Sequence, residues 1–139
     1  MFHIVIVSHG PMAEGLKASI EFIMGSVSDL QAICLDGDGI GKFSEKVKKY
    51  IEFAKEEETL VLSDIVHGSP YNEFAGHAND FTKDFDILAG VSVPVVLEAL
   101  GWQTQGVPLK EAIPAIIQAG AVTSFKSEQS GKEENEEDE

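Results

Sequence analysis

The chain has 139 residues, 43% of them hydrophobic and 8% aromatic, which is typical of one globular domain with an ordinary core. Its 24 acidic and 10 basic residues give a net charge of -14, which argues against nucleic acid or anionic lipid as partners, since both need clustered lysines and arginines. The single cysteine, Cys34, excludes an intramolecular disulfide, and no stretch approaches the roughly 18 apolar residues that insertion into a membrane requires.

The first segments of the chain predict a strand followed by a helix. The run from Phe2 to Val7 is apolar without strict alternation, which is typical of a strand covered on both faces. Pro11 suits the first turn of a helix, and apolar residues at 12, 16, 20 and 23 form one helical face that ends at Gly25.

The same alternation of strands and helices continues to residue 125. Strands are predicted at 30–35, 59–65 and 86–91, helices at 40–54, 69–83, 94–100 and 109–118, and a last, less regular strand at Ala121–Phe125. Because strands alternate with helices of this length, the predicted fold is α/β, a doubly wound, mainly parallel four-stranded sheet with helices on both faces.

The C-terminal segment Lys126–Glu139 forms an acidic tail. It contains seven acids and two lysines, and its low apolar content predicts a disordered segment after a single domain of residues 1–125. Nine of the fourteen excess negative charges remain on residues 1–125, so the predicted domain is acidic in its own right.

The carboxyl ends of the predicted strands are the expected ligand site, because the loops that lead into the helices meet at this edge of a parallel sheet. The residues delivered there are Ser8, His9 and Gly10 after the first strand, Asp64, His67, Gly68 and Ser69 after the third, and Gly90 and Ser92 after the fourth. Helix N-termini at these loops favour an anion such as phosphate.

His9 and Asp64 are the candidate catalytic pair. A neutral imidazole attacks phosphorus well when a carboxylate on its other nitrogen fixes the tautomer and stabilises the cation that forms. Gly10, Gly68 and Ser69 are candidates for holding the phosphoryl oxygens, as suits a transfer that depends on positioning and electrostatics. Ser69 is equally a candidate N-cap for the third helix.

The remaining polar motifs have simpler interpretations. His67 is a less favoured catalytic candidate, since histidines in exposed loops are common; His3 is expected to be a structural or edge residue, and His77 a solvated helix position. The turn at 36–39 lacks the later ligands of a calcium loop, and neither a metal nor a cofactor is expected.

Three segments of the chain carry a family resemblance: IVIVSHGPMAEGLKASIEFIMG, LSDIVHGSPYNEFA and ILAGVSVPVVLEAL. Together they resemble enzyme IIA of the mannose (mannose/fructose/sorbose) family of the bacterial sugar phosphotransferase system, and the likeness extends from Phe2 to about Phe125. The most specific pieces are SHGPMAEGL and the pattern D-x-x-x-GSP-x-N.

The resemblance implies a phosphotransferase function. His9 would accept a phosphoryl group from the phosphohistidine of the general phosphocarrier protein and pass it to a IIB subunit or domain for sugar uptake. Asp64 would orient His9, and Ser69 would lie beside the phosphoryl group. The resemblance also implies a homodimer, in some members with a C-terminal strand, here 121–125, exchanged antiparallel onto the partner's sheet.

The chain departs from the family pattern at two positions of the site's rim. It has His67-Gly68-Ser69-Pro70 where the family commonly has Gly-Gly-Ser-Pro, and Ser92-Val93-Pro94 where Asn-x-Pro is common. Neither departure touches His9 or Asp64.

Two functions remain open at this point. The first is a cytoplasmic phosphocarrier, since the N-terminus has neither the basic region nor the cleavage site of a signal peptide. The alternative is a IIA-like regulatory module, including the type found with dihydroxyacetone kinases, whose phosphorylation signals instead of feeding transport. A histidine phosphatase is less favoured, because Ser8 occupies the position of its Arg-His-Gly arginine.

Overall fold

The computed structural model describes the backbone of residues 1–137 and the side chains of residues 1–131. The strands are β1 (His3–His9), β2 (Leu30–Leu35), β3 (Thr59–Ser63) and β4 (Phe85–Ala89). The helices are α1 (Met12–Met24), α2 (Ile40–Ala54), α3 (Ser69–Ala75), α4 (Val93–Thr104), α5 (Leu109–Ala119) and α6 (Phe125–Glu137), with a 3₁₀ turn at Ala78–Asp80. No helix in this described part of the chain is long and apolar enough to cross a bilayer.

The four strands form one parallel sheet in the order β2-β1-β3-β4. The chain winds from β1 to β2 in one direction and then returns past β1 to β3 and β4 in the other. The direction of winding therefore changes between β1 and β3, which is where ligands bind in open sheets of this class. The predicted doubly wound α/β fold is confirmed.

Both faces of the sheet are covered, which explains why β1 is apolar at successive positions. Ile4 and Ile6 pack with α1, α4 and α5 on one face, and Val5 and Val7 pack with α2 and α3 on the other. All four side chains are fully buried. A central parallel strand has no solvated face, so its sequence cannot alternate between apolar and polar residues.

The third predicted helix, 69–83, is wrong in length. The structure ends α3 at Ala75, and Gly76 leads into the 3₁₀ turn at Ala78–Asp80. Glycine has the weakest helix propensity after proline, so it favours an end to the helix at this point. His77 consequently precedes a 3₁₀ turn instead of lying within a helix.

The C-terminal end also differs from expectation. The strand predicted at Ala121–Phe125 does not form within the single chain, where residues 121–124 have no regular structure and Phe125 begins α6. Its exchange onto the sheet of a partner stays a prediction. All of residues 121–130 are exposed, and a strand without a neighbouring strand leaves its hydrogen bonds unmade. Helix α6 covers residues 126–137 of the tail for which disorder is predicted; glutamate and lysine are good helix formers, which favours this local structure. Residues 138–139 of the predicted tail lie outside the described residues.

Candidate active site

The site lies at the carboxyl ends of β1 and β3, the two strands between which the winding changes direction. His9 is the last residue of β1, and Asp64 directly follows Ser63, the last residue of β3. Val7 pairs with Ser63 across the ladder, and the N–H of Asp64 donates to the carbonyl of Val7 at 3.2 Å. The sequence prediction that His9 and Asp64 lie side by side at this edge is confirmed.

The Asp64 carboxylate accepts hydrogen bonds from His9 and from Ile65. Its Oδ2 accepts the backbone N–H of His9 at 2.8 Å and lies 2.8 Å from His9 Nδ1. Its Oδ1 accepts the N–H of Ile65 at 2.9 Å. The carboxylate is thereby fixed in place by two backbone groups, and it fixes the His9 ring in turn.

These contacts set the charge state of Asp64. Partial burial acts to raise the pKa of its carboxyl, but the hydrogen bonds from the His9 N–H, the His9 ring and the Ile65 N–H outweigh burial and lower the pKa below its ordinary value. Asp64 is therefore ionised over the whole physiological range. An ionised carboxylate only accepts hydrogen bonds, so Nδ1 of a neutral His9 carries the ring proton. The lone pair of the ring is then on Nε2.

The lowered pKa predicts a pH-dependent contribution of Asp64 to stability. The unfolded chain binds a proton at Asp64 near the ordinary value of about 3.9, whereas the folded protein does so only at lower pH. The contribution is thus complete above about pH 5 and is lost as the pH falls through the folded pKa. Urea unfolding of the wild type and of Asp64→Asn between pH 2.5 and 6 is expected to give free energies that converge at the acid end. A difference independent of pH would contradict the assignment.

A histidine–carboxylate bond does not by itself identify the site, because the residues with described side chains form three of them. His3 Nδ1 lies 2.7 Å from Asp29, and His77 Nδ1 lies 2.8 Å from Asp80. His3 sits at the start of β1, with its ring 4.8 Å from that of Phe53 and only 16% of its side chain exposed. His77 is bonded three residues along its own turn. The prediction that His3 is structural therefore agrees with its surroundings.

His9 differs from both in exposure and in position. Its side chain is 44% exposed, whereas its partner Asp64 is only 11% exposed, so the pair combines an accessible ring with a sheltered carboxylate. It is also the histidine of these three pairs that lies at the carboxyl edge of the sheet. The arrangement offers an accessible, oriented nitrogen nucleophile at the surface.

Gly68 lies directly against the His9 ring. A Cβ atom at this position would be 2.6 Å from His9 Cε1, 3.3 Å from Nε2 and 3.2 Å from Ile65 Cγ1. The backbone of Gly68 has φ -79°, which any residue can adopt, so the reason for glycine is space and not conformation. The sequence prediction names Gly68 for phosphoryl binding; the structure adds that it supports one side of the imidazole.

Gly68→Ala is expected to damage the site far more than the fold. Contacts under 3.0 Å do not occur for a real Cβ, so the His9 ring would have to move and weaken its bond to Asp64. A displacement of about 1 Å at a reacting group costs on the order of a hundredfold in rate. The measurement is the rate of phosphoryl uptake together with urea unfolding. Gly41→Ala is the matched control, since a Cβ there meets nothing within 4 Å, and equal effects of the two variants would contradict the role of Gly68.

Ser8 and Gly10 shape the backbone on the other side of His9. The Ser8 hydroxyl, fully buried, accepts the N–H of Ala13 at 2.8 Å and donates to the carbonyl of Gly10 at 3.1 Å. Gly10 has φ +63°, in the left-handed region that favours glycine, and its N–H donates to Leu35 at 2.7 Å. The sequence analysis assigned Ser8 no structural role. A serine just before a predicted helix can accept an N–H of the first helical turn, and this pattern could have indicated the role.

The other predicted rim residues occupy the loops on either side. Ser69 is exposed and is the first residue of α3, with Gly68 in the N-cap position, so the alternative that Ser69 caps this helix is wrong. Ser92 caps α4 instead, with its hydroxyl 3.5 Å from the N–H of Val95. His67 is exposed and has φ +62°. In the turn at 36–39, the carboxylate of Asp36 accepts the N–H of Asp38 at 2.9 Å, as in an ordinary turn.

Comparison with known proteins identifies the family. The family model EIIA-man, described as "PTS system fructose IIA component", matches residues 3–117. The chain is 34% identical over 102 residues to the PTS system fructose-specific EIIA component of Bacillus subtilis, covering 72% of this chain and 69% of that protein. It is 31% identical over 96 residues to the PTS system sorbose-specific EIIA component of Lacticaseibacillus casei, covering 68% and 69%.

Solved structures agree with this result. The mannose/sorbose specific IIA subunit of the phosphotransferase system from Enterococcus faecalis superposes with a TM-score of 0.78 at 27% identity, covering 89% of this chain and 94% of that one. The phosphotransferase system component EIIA from Streptococcus agalactiae, at 24% identity, shows the fold alone, with a TM-score of 0.82 and coverage of 91% and 99%. The chain therefore belongs to the EIIA-man family, the IIA components of the mannose family of the sugar phosphotransferase system.

Proposed function

We propose that His9 carries the phosphoryl group in this phosphocarrier of the sugar phosphotransferase system. The group arrives from the phosphohistidine of the general phosphocarrier protein and leaves to a histidine of a IIB subunit or domain. The observation that carries this proposal is the 2.8 Å bond between His9 Nδ1 and the sheltered carboxylate of Asp64, which leaves Nε2 as the exposed nucleophile. Family membership supplies the phosphocarrier role itself.

The transfer step exchanges one nitrogen–phosphorus bond for another. The Nε2 lone pair of His9 attacks phosphorus in line with the departing nitrogen of the donor, which leaves with the electron pair of the broken bond. His9 keeps its proton on Nδ1, so its phosphorylated ring is cationic and is stabilised by the ionised Asp64 carboxylate 2.8 Å away. In the second transfer a histidine nitrogen of IIB attacks the phosphorus, and His9 Nε2 leaves with the electron pair of the broken bond. Neither a metal nor a cofactor takes part.

The phosphoryl oxygens need hydrogen-bond donors close to Nε2. Gly68 lies against the ring, and the N–H groups of Gly68 and Ser69 together with the exposed Ser69 hydroxyl are our candidates. The N–H of Gly10 is bonded to the carbonyl of Leu35, so Gly10 contributes through the shape of the backbone instead. Donors fixed in the backbone suit phosphoryl transfer, in which positioning and electrostatic stabilisation supply most of the rate. They also let an acidic protein accept a further anion, because their dipoles act locally.

Both proposed partners are proteins. The negative charge of the domain favours a phosphocarrier protein with a cationic face, since complementary charge speeds association. A homodimer stays a prediction from the family resemblance, and sedimentation at increasing concentrations measures it. A regulatory role has no comparable support, because the relatives are named as fructose-specific and sorbose-specific EIIA components of the PTS system.

The proposal is tested by phosphorylation of the wild-type protein. The protein is incubated with phosphoenolpyruvate, the general phosphocarrier protein and the kinase of that carrier, and its intact mass is measured. We expect the gain of one phosphate, labile to acid and stable to base, with imidazole ¹⁵N shifts that assign it to Nε2 of His9. Addition of a IIB protein of the same family should remove it. Absence of the mass gain, or a phosphate on another residue, would overturn the proposal.

A further inference from the structure

His67 adopts a backbone conformation that is uncommon for a residue other than glycine. Its φ of +62° lies in the left-handed region, and it is the one residue other than glycine with positive φ among those that the structure describes. The remaining positive values belong to glycines, which adopt them without steric cost. A strained residue beside an active site suggests that its side chain contributes to the site's function.

The strained loop is held in place by α3. The His67 carbonyl accepts a hydrogen bond from the side-chain amide of Asn72 at 3.0 Å. The His67 ring stands edge-on to the ring of Tyr71, with centroids 5.4 Å apart and an interplanar angle of 75°. The imidazole is exposed and is therefore available to a group that arrives from solvent.

His67 is close enough to His9 to reach a phosphoryl group bound there. A Cβ on Gly68 would be 2.6 Å from His9 Cε1, so the Cα of Gly68 itself is within about 4 Å of that atom. The Cα of His67, the preceding residue, lies about 3.8 Å from the Cα of Gly68. It is therefore within about 8 Å of the His9 ring. A histidine side chain and a phosphoryl group on Nε2 together span this distance.

Among the strand-to-helix loops around the site, only His67 can supply a positive charge to the phosphoryl group. Loops 10–11, 36–39, 64–68 and 90–92 contain three carboxylates, those of Asp36, Asp38 and Asp64, and His67 is their one side chain that can become cationic. The Tyr71 ring lies beside that of His67, and Glu14 is the acidic residue in the first turn of α1, the helix that follows β1. A phosphoryl group adds about two negative charges to this acidic edge.

We infer that protonated His67 pairs with the phosphoryl group on His9 and makes retention of that group depend on pH. The inference rests on the proposed function. Imidazole changes its charge between about pH 5 and 8, so the counter-charge is present at the acidic end and absent at the basic end. Phosphorylated His9 is then favoured over unphosphorylated His9 as the pH falls.

The test measures the equilibrium of the phosphoryl group between the phosphocarrier protein and this protein from pH 5.5 to 8.5. His67→Asn is the main variant, because asparagine tolerates the left-handed conformation and is neutral throughout. The pH dependence of the donor is common to all variants, so the ratio of wild-type to variant equilibrium constants isolates His67. We expect this ratio to rise about two- to fivefold from pH 8 to pH 6, as for an exposed ion pair.

Two further variants separate charge from structure. His67→Lys keeps a cation at every pH of the series, and its equilibrium constant should follow that of the wild type at pH 6 and exceed it at pH 8. His77→Asn makes the same substitution at a histidine bonded to Asp80 and should leave the ratio unchanged. A ratio for His67→Asn that is flat with pH would overturn the inference. Failure of the wild type to accept phosphate at all would instead overturn the proposed function.

Discussion

His9→Gln is expected to abolish phosphoryl acceptance, with a fall in rate of at least about a thousandfold, as for removal of the nucleophile in a covalent mechanism. Glutamine is neutral and polar, but its amide nitrogen has no available lone pair with which to attack phosphorus. The fold should survive, because the Asp64 carboxylate keeps the backbone N–H groups of residue 9 and of Ile65 as donors. The measurement is the intact mass after incubation with the phosphorylated carrier.

The chain offers two matched controls for this variant. His3 and His77 each place Nδ1 within 2.8 Å of a carboxylate, as His9 does, yet neither lies at the carboxyl edge of the sheet. His3→Gln and His77→Gln are therefore expected to accept one phosphate with wild-type stoichiometry. Phosphate uptake by His9→Gln, or its loss in His77→Gln, would show that another histidine is the acceptor.

The pairing of His9 with Asp64 could be predicted from sequence because it depends on few quantities. Apolar runs at β1 and β3 fix where each strand ends, and a parallel sheet brings those ends to one edge. A histidine and an aspartate at the two ends then have to be neighbours. The family resemblance added the phosphoryl chemistry that this neighbourhood suits.

The support of the His9 ring by Gly68 could not be predicted in the same way. Contact between two residues 59 positions apart depends on the path of the loop after β3, which no local pattern specifies. The left-handed conformation of His67 could not be predicted either, since only a few per cent of residues other than glycine adopt it. Likewise, the three histidine–carboxylate bonds differ mainly in the exposure of their side chains, which depends on the folded structure and not on a local sequence pattern.

At the C-terminal end, the backbone conformation depends on whether the segment has a neighbouring strand. A strand is stable only with a neighbouring strand, so the β-forming residues of 121–125 do not suffice to make one. Helix formation depends mainly on local propensity, and the glutamate-rich segment after Phe125 satisfies it despite its charge. The charge of the tail can therefore be calculated from its composition, whereas its backbone conformation cannot.

Asp64→Asn is expected to lower the rate of phosphoryl transfer by about 10³- to 10⁴-fold, because an amide has one acceptor oxygen where the carboxylate has two. If that oxygen faces Ile65, the NH₂ group faces His9 Nδ1 and forces the ring proton onto Nε2, which removes the nucleophilic lone pair. If it faces His9, the tautomer is kept, but the Ile65 N–H meets a second donor and the cationic phosphorylated ring loses its counter-charge.

Both orientations leave a backbone donor without an acceptor, so the unfolding free energy should also fall, by about 1–3 kcal/mol at neutral pH. Asp86→Asn is the control for the loss of a carboxylate charge as such, since the Asp86 carboxylate accepts the N–H of the following residue at 2.8 Å, a bond that an amide oxygen keeps, and lies near the start of β4, away from His9. Rapid-quench measurement of phosphoryl uptake should show a wild-type rate for Asp86→Asn. A rate for Asp64→Asn within tenfold of the wild type, with the ring proton still on Nδ1, would mean that the backbone alone orients His9 and that the carboxylate is dispensable.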